Sequence, residues 1–305
     1  MIQPFKLGYV VLKVQDLPKV SEYYEFVMGC TLQEVSEDGS RYYSVGNEHY
    51  SIILKEARES ELSTFSFQIE EDISLSEAQR ILKQHGIESD LVTDHEHYLA
   101  EALRFQDVDG YTVELFHRMD SNKSGYKREG IAPIKLGHIA LGSLHPERAT
   151  KFYQEVLNFS FTDRIGDKAT FLTCNTDHHV LNISNFGERM LHHIAFELID
   201  SSHHVRSADC LAQKDIATFW GPARHTAGHN LASYHHDPEK NVIELYTDMD
   251  YYIKQLNMFE ARPWHLDNPQ IPKIWDHNCV WQTEFEKTIL AGVLEKKQWK
   301  EEEKA

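Results

Sequence analysis

The chain has 305 residues, 41% of them hydrophobic and 26% charged, a globular composition long enough for two domains of moderate size. Its 31 Lys and Arg against 48 Asp and Glu give a formal charge of −17, which argues against nucleic acid or an anionic membrane as partner, since both need a positive footprint. The longest apolar runs, such as Ile52-Ile53-Leu54, fall far short of the roughly 20 residues of a membrane span, and the start Met1-Ile2-Gln3-Pro4-Phe5-Lys6 lacks the pattern of a signal peptide, so a cytoplasmic protein is expected.

Cys30, Cys174, Cys210 and Cys279 are widely separated and form no CxxC pair, which excludes a disulfide scaffold and a thiolate zinc site. Histidine is the unusual count: 12 of the 19 fall between residues 130 and 240, well above an even spread.

Taken in chain order, the sequence repeats itself. The strand-like run Lys6-Leu7-Gly8-Tyr9-Val10-Val11-Leu12 returns as Lys135-Leu136-Gly137-His138-Ile139-Ala140-Leu141. The following segment from Pro18 to Gly29 matches Pro146 to Asn158, which reads as a helix opened by proline in its first turn. Leu62 to Phe67 answers Leu191 to Phe196, and Val113 to Phe116 answers Ile243 to Tyr246; the three strand matches are offset by 129, 129 and 130 residues. Two homologous domains follow, at 1–125 and 131–260, joined by the polar stretch Asp120 to Gly130.

Each half reads as two smaller units of strand, helix and further strands. In the second half the expected strands are Gly137–Leu141, Ala169–Leu172, Val180–Ser184, Leu191–Leu198 and Asn241–Tyr246, with helices over Pro146–Leu157 and Ser202–Gln213. Strands outnumber helices, and the helices cover one face, so the fold class is α+β. The stretch Asp90 to His97, with Asp94, His95, Glu96 and His97 clustered, reads as a polar loop, with an accessory metal site as the alternative. Beyond residue 260 an extension is expected at 261–305. The Pro- and Trp-containing run from Arg262 to Trp275 should be extended, and residues from about Thr283 to Ala305 should form a surface helix with a charged tail.

Side chains alternate faces along a strand. His138, His193 and Glu244 each lie opposite neighbours that are aliphatic (Ile139 and Leu141; Ile194, Phe196 and Leu198; Ile243 and Leu245), so all three point away from the helix-covered face. His192 shares the phase of Ile194 and Phe196, which makes His193 the inward histidine of that pair. A lone strand histidine is ordinarily a satisfied core residue. Two imidazoles and a carboxylate converging with other positions left open form instead the 2-His-1-carboxylate set of a non-haem Fe(II) site. The N-terminal half has Tyr9 and Thr64 where the other has His138 and His193, and keeps only Glu114, so one half alone has the ligands for a metal.

The stretches Leu136-Gly137-His138-Ile139-Ala140-Leu141, Leu191-His192-His193-Ile194-Ala195-Phe196, Trp220-Gly221-Pro222-Ala223-Arg224-His225 and Ile243-Glu244-Leu245-Tyr246 together resemble the two-domain extradiol ring-cleavage dioxygenases of the vicinal oxygen chelate superfamily. The resemblance covers roughly residues 5–250. It implies tandem βαβββ modules in a glyoxalase-like fold, each half an open barrel, with His138, His193 and Glu244 as ligands of Fe(II), and ligand type permits Mn(II) as well. It implies an acid–base histidine at His179, a substrate-orienting histidine at His225 and a substrate-binding tyrosine at Tyr234. It also implies a small aromatic diol as substrate, dioxygen as co-substrate and a homo-oligomer. Trp220 stands where relatives acting on acidic catechols tend to carry arginine, which points to an apolar or aromatic substituent. Related enzymes often close the pocket with a C-terminal segment, which makes Arg262 and Trp264 lid candidates, with packing on the barrel exterior as the alternative. His229, His235 and His236 match no required role and are expected at the surface or pocket rim. Two other functions share this fold: a glyoxalase-like metal-dependent isomerase or lyase, and a metal-free aromatic-ligand binder.

Overall fold

The protein is described by a computed structural model covering residues 1–96, 99–122, 129–262 and 270–275. The side chains of residues 94–98, Trp264 and the predicted tail helix over 283–305 lie outside the described residues.

The chain folds as four βαβββ units. The first comprises β1 (Pro4–Val14), α1 (Leu17–Glu22, continued by a π-turn over Tyr23–Val27), β2 (Thr31–Val35), β3 (Arg41–Ser44) and β4 (Ile52–Glu56). The second comprises β5 (Glu61–Ile69), α2 (Leu75–Gln84), β6 (Ser89–Glu96), β7 (Leu99–Gln106) and β8 (Thr112–Phe116). The third repeats the pattern with β9 (Lys135–Gly142), α3 (Pro146–Glu155), β10 (Ser160–Ile165), β11 (Ala169–Thr173) and β12 (Leu181–Ser184). The fourth has β13 (Met190–Glu197), α4 (Ser201–Gln213), β14 (Thr218–Arg224), β15 (Leu231–His236) and β16 (Val242–Thr247). A short hairpin, β17 (Tyr252–Ile253) with β18 (Met258–Phe259), and a last strand β19 (Lys273–Trp275) follow.

Each half forms one mixed sheet with the same internal symmetry. The first strands of its two units lie antiparallel at the centre, β1 against β5 and β9 against β13. Each is flanked by the parallel last strand of its own unit: β4, β8, β12 and β16 respectively. The strand orders β2-β3-β4-β1-β5-β8-β7-β6 and β14-β15-β16-β13-β9-β12-β11-β10-β19 leave both sheets open at their ends. The repeated Leu-Gly pair has one steric cause in both halves. A side chain at Gly8 would collide with the Phe116 ring, and one at Gly137 with Tyr246, so glycine lets an aromatic residue two strands away lie across the sheet.

The helix-covered faces of both sheets share one apolar core, in which Phe67 meets Phe159 edge-on at 5.1 Å and Phe105 meets Phe152 at 6.1 Å. Buried polar contacts fix how the halves fit. Tyr111 donates to the carbonyls of Gly142 and Met190, the Glu239 carboxylate accepts from the backbone of Gln15 and Asp16, and Tyr23 Oη lies 2.6 Å from His235 Nε2. Asp16 and Asp200 cap α1 and α4 through their side chains.

The surface expectation for the extra histidines is corrected here. His235 is buried at the junction of the halves, His229 is buried against Asp250 at 2.7 Å, and His236 is half-buried and stacked on Phe219. Their burial depends on the partner half and on the loop carrying Asp250, neither of which leaves a pattern in the local sequence.

Candidate metal centre

The inward face of the C-terminal sheet brings together residues far apart in sequence through strand register. His138 on β9, Ala195 on β13 and Glu244 on β16 form one row across three neighbouring strands, and His193 sits beside Ala140 one row over. The two alanines leave room between the larger side chains. His138 Nε2 lies 3.2 Å from His193 Nε2 and 3.0 Å from Glu244 Oε2, and His193 Nε2 lies 3.1 Å from the same oxygen. All three residues are buried.

This triangle fits a divalent metal ion. An ion about 2.1 Å from each of three atoms at right angles sets those atoms about 3.0 Å apart, one face of an octahedron. Two imidazole nitrogens 3.2 Å apart and facing one carboxylate oxygen present converging lone pairs, an arrangement that a cation relieves. Electrostatics agree with the donor set. Burial holds the His138 imidazole below its ordinary pKa and hence neutral, Glu244 pulling the other way. Burial pushes the Glu244 carboxyl up, but His138 and the other histidines around it outweigh that and hold it well below the usual range, so it is ionised. Asn230, fully buried, donates from Nδ2 to Glu244 Oε1 at 2.8 Å and thereby turns Oε2 toward the two histidines. The sequence reading did not find Asn230, because nothing in a loop asparagine announces a carboxylate partner 14 residues on.

The other predicted residues surround this triangle. His225 Nε2 is 2.8 Å from Tyr234 Oη and 3.7 Å from Glu244 Oε1. Tyr234 stands directly opposite Glu244 in the β15–β16 pairing. Burial, then the nearby Glu244 carboxylate, raises the Tyr234 phenol well above its ordinary pKa, so it keeps its proton; burial lowers that of His225. Trp220 stacks on the His225 ring at 4.8 Å and 12°, so it braces that histidine from behind. His179 lies with its ring 4.2 Å from the His138 ring and is held well below its usual pKa by burial, then by His138 and His178.

A cavity of about 270 Å³ opens over the triangle, near the small end of ligand-sized pockets. His179, His193, His225, Tyr234 and Glu244 form its floor, Phe171, Phe186, Ile165 and Ala227 give apolar wall, and Asn182 and Ser184 a polar patch. His192 also lines it, which corrects the alternation argument. The β9–β13 register slips between Leu191 and His193, a bulge that leaves His192 without a place in the alternation. Both histidines therefore face the cavity side, with their Nδ1 atoms 2.6 Å apart, and His192 stacks on Phe186.

Among the described residues, none of the C-terminal segment lines the cavity. The Arg262 guanidinium sits 4.6 Å over the Tyr251 ring and is not among the lining residues, while β19 adds to the sheet edge beside β10.

Comparisons with known proteins agree with this fold. Metapyrocatechase 2 of Cupriavidus necator is 30% identical over 123 residues, a match that spans 40% of this chain and only 38% of that enzyme. The manganese-dependent 2,3-dihydroxybiphenyl 1,2-dioxygenase of Geobacillus genomosp. 3 is 22% identical over 79% of this chain and 84% of its own length. In fold, the 2,3-dioxygenase LapB from Pseudomonas sp. KL28 superposes with a TM-score of 0.80 at 21% identity, covering 91% of this chain and 99% of that one. The Mn(II)-bound glyoxalase from Novosphingobium aromaticivorans does so at 0.81 and 23% identity, covering 92% and 90%. The family profile matches residues 6–115 and 135–245, one stretch in each half, and the chain belongs to the Glyoxalase/Bleomycin resistance protein/Dioxygenase superfamily.

Proposed function

We propose that this protein is an extradiol ring-cleaving dioxygenase: it opens the ring of a small aromatic diol beside its hydroxyls and inserts both atoms of dioxygen. The observation that carries the reading is the combination at one cavity floor of the His138–His193–Glu244 triangle with His179, His225 and Tyr234 around its open side. His138, His193 and Glu244 would hold Fe(II) or Mn(II), which would supply Lewis acidity toward the diol and redox chemistry toward dioxygen.

The chain's own residues supply the rest. Tyr234, kept protonated by burial, offers its hydroxyl as a hydrogen-bond donor to a diol oxygen, and His225 holds that hydroxyl in place. Trp220 keeps the His225 ring from turning. His179 has one hydrogen-bond partner among the described residues, through Nδ1, so its Nε2 is the nitrogen able to carry a proton to or from the reacting oxygens. Phe171 and Phe186 give a planar ring an apolar wall and help exclude water, which suits an aromatic substrate.

The test is oxygen uptake by anaerobically prepared Fe(II)-loaded and Mn(II)-loaded protein offered mono- and bicyclic catechols. Stoichiometric uptake with a coloured ring-opened product is expected. Absence of uptake despite one bound metal per chain would contradict the reading and favour a glyoxalase-like isomerase or lyase. Unaltered diol affinity in the metal-free protein would favour a binding protein.

A further inference from the structure

Behind His179, on the side away from the triangle, runs a buried chain of polar groups that the proposed chemistry does not use. His178 Nδ1 lies 3.0 Å from His179 Nδ1, and His178 Nε2 lies 3.0 Å from Asp163 Oδ2. His178 is wholly buried and Asp163 is 2% exposed. Asp163 accepts two further bonds, both from the C-terminal strand β19: Trp275 Nε1 donates to Oδ2 at 2.7 Å and the Lys273 backbone N–H to Oδ1 at 2.9 Å. The His178 ring is clamped as well. It stacks on Phe259 of the β17–β18 hairpin at 5.1 Å and meets the edge of Phe171, and a side chain at Gly228 would press on its Nδ1 side.

With a neutral His178, the carboxylate at one end sets the order of donors and acceptors along this chain. A carboxylate can only accept, so His178 presents Nε2–H to Asp163. A neutral His178 then has only a lone pair at Nδ1, and the 3.0 Å contact requires His179 to donate from its own Nδ1. The remaining nitrogen of His179, Nε2, is left with a lone pair on the cavity side. Three N–H donors converge on the Asp163 carboxylate, from His178, Trp275 and the Lys273 backbone.

We propose that Asp163 and His178 are positioning residues that fix the ring orientation and tautomer of His179, and that β19 completes the relay by locking Asp163. Among the described residues, β19 thus acts on the site from behind, through Trp275. This inference rests on the reading of His179 as the proton carrier only for its effect on turnover; the tautomer itself can be measured without turnover.

The experiment is nitrogen NMR on protein labelled with 15N-histidine and loaded with zinc, whose closed shell leaves the ring signals observable. His179 is expected as the Nδ1–H tautomer in the unaltered protein. Asp163→Asn, which can donate as well as accept, should shift its signals toward a mixture and lower kcat about 10-fold with KM and metal content unchanged. Trp275→Phe should move both readouts the same way by less. Should Asp163→Asn fail to fold, His178→Phe keeps the stack on Phe259 while removing both nitrogens, and the same shift is expected. An Nε2–H tautomer in the unaltered protein, or an unchanged tautomer in the folded variant, would overturn the proposal. A failed dioxygenase assay with the expected tautomers would overturn only the role given to His179.

Discussion

Glu114 and Glu244 occupy the same place in the two halves of one repeated fold, and each is 1% exposed. Their neighbours differ in the kind of hydrogen-bonding group they offer. In the N-terminal half, Glu114 accepts from the Tyr9 hydroxyl on Oε2 and from Arg104 on Oε1, the latter at 2.7 Å. Arg104 stands opposite Glu114 in the sheet as Tyr234 stands opposite Glu244. Tyr9, Thr64 and Tyr50 take the places of His138, His193 and His179. Donors satisfy both oxygens of one carboxylate within the protein; on the other, Asn230 satisfies Oε1 while two imidazole nitrogens face Oε2 and leave it to a cation. A buried carboxylate on this scaffold is thus no metal site by itself, and the partners across the strands decide.

Changes at matched positions sharpen that contrast, beginning with the largest. His193→Ala should abolish metal retention and lower oxygen uptake at least about 10³-fold, because two ligands do not hold the ion on an open face. Thr64→Ala, its counterpart, should leave both unchanged; an equal loss at Thr64 would remove the distinction between the halves. Next, Asn230→Ala frees Glu244 Oε1, and metal affinity measured by competition with a chelator should weaken about 10- to 100-fold.

The junction between halves gives a pH test away from the ligands. Burial, then His236, pushes the His235 imidazole down to about 3. An unfolded histidine titrates near 6.5, so between that pH and about 3 the unfolded chain holds a proton that the folded one refuses. Stability from this group is intact above pH 6.5 and falls by about 1.4 kcal/mol per pH unit on acidification. Urea unfolding should report a stability lower by about 1.3 kcal/mol from this source at pH 5.5 than at pH 7, and His235→Gln should remove that share of the slope. The smallest effect expected is at Trp220→Leu: loss of a ring stack worth about 1 kcal/mol should lower kcat a few-fold, with metal content unaltered.

Much of this was legible in the sequence because it is carried by period and spacing. The offset near 129 exposed the duplication, and alternation along three strands picked out His138, His193 and Glu244. What stayed hidden depends on departures from period or on contacts between distant segments. The bulge that turns His192 inward breaks the alternation on which the choice between His192 and His193 rested, though His193 still meets the triangle. The pairing of His178 with Asp163 left no local signal, because Asp163 sits on another strand and is held by residues more than 100 positions further on. The stack of Trp220 on the His225 ring was likewise not legible, since it joins two residues through a strand and a turn that no period announces.

The most direct test of the account is metal content per chain, measured side by side in the unaltered protein, Glu244→Gln and Glu114→Gln after loading with Fe(II) and desalting without oxygen. The account predicts one, none and one, with Glu114→Gln showing only a loss of stability from its broken Tyr9 and Arg104 contacts. Metal retained in Glu244→Gln, or lost in a folded Glu114→Gln, would contradict it.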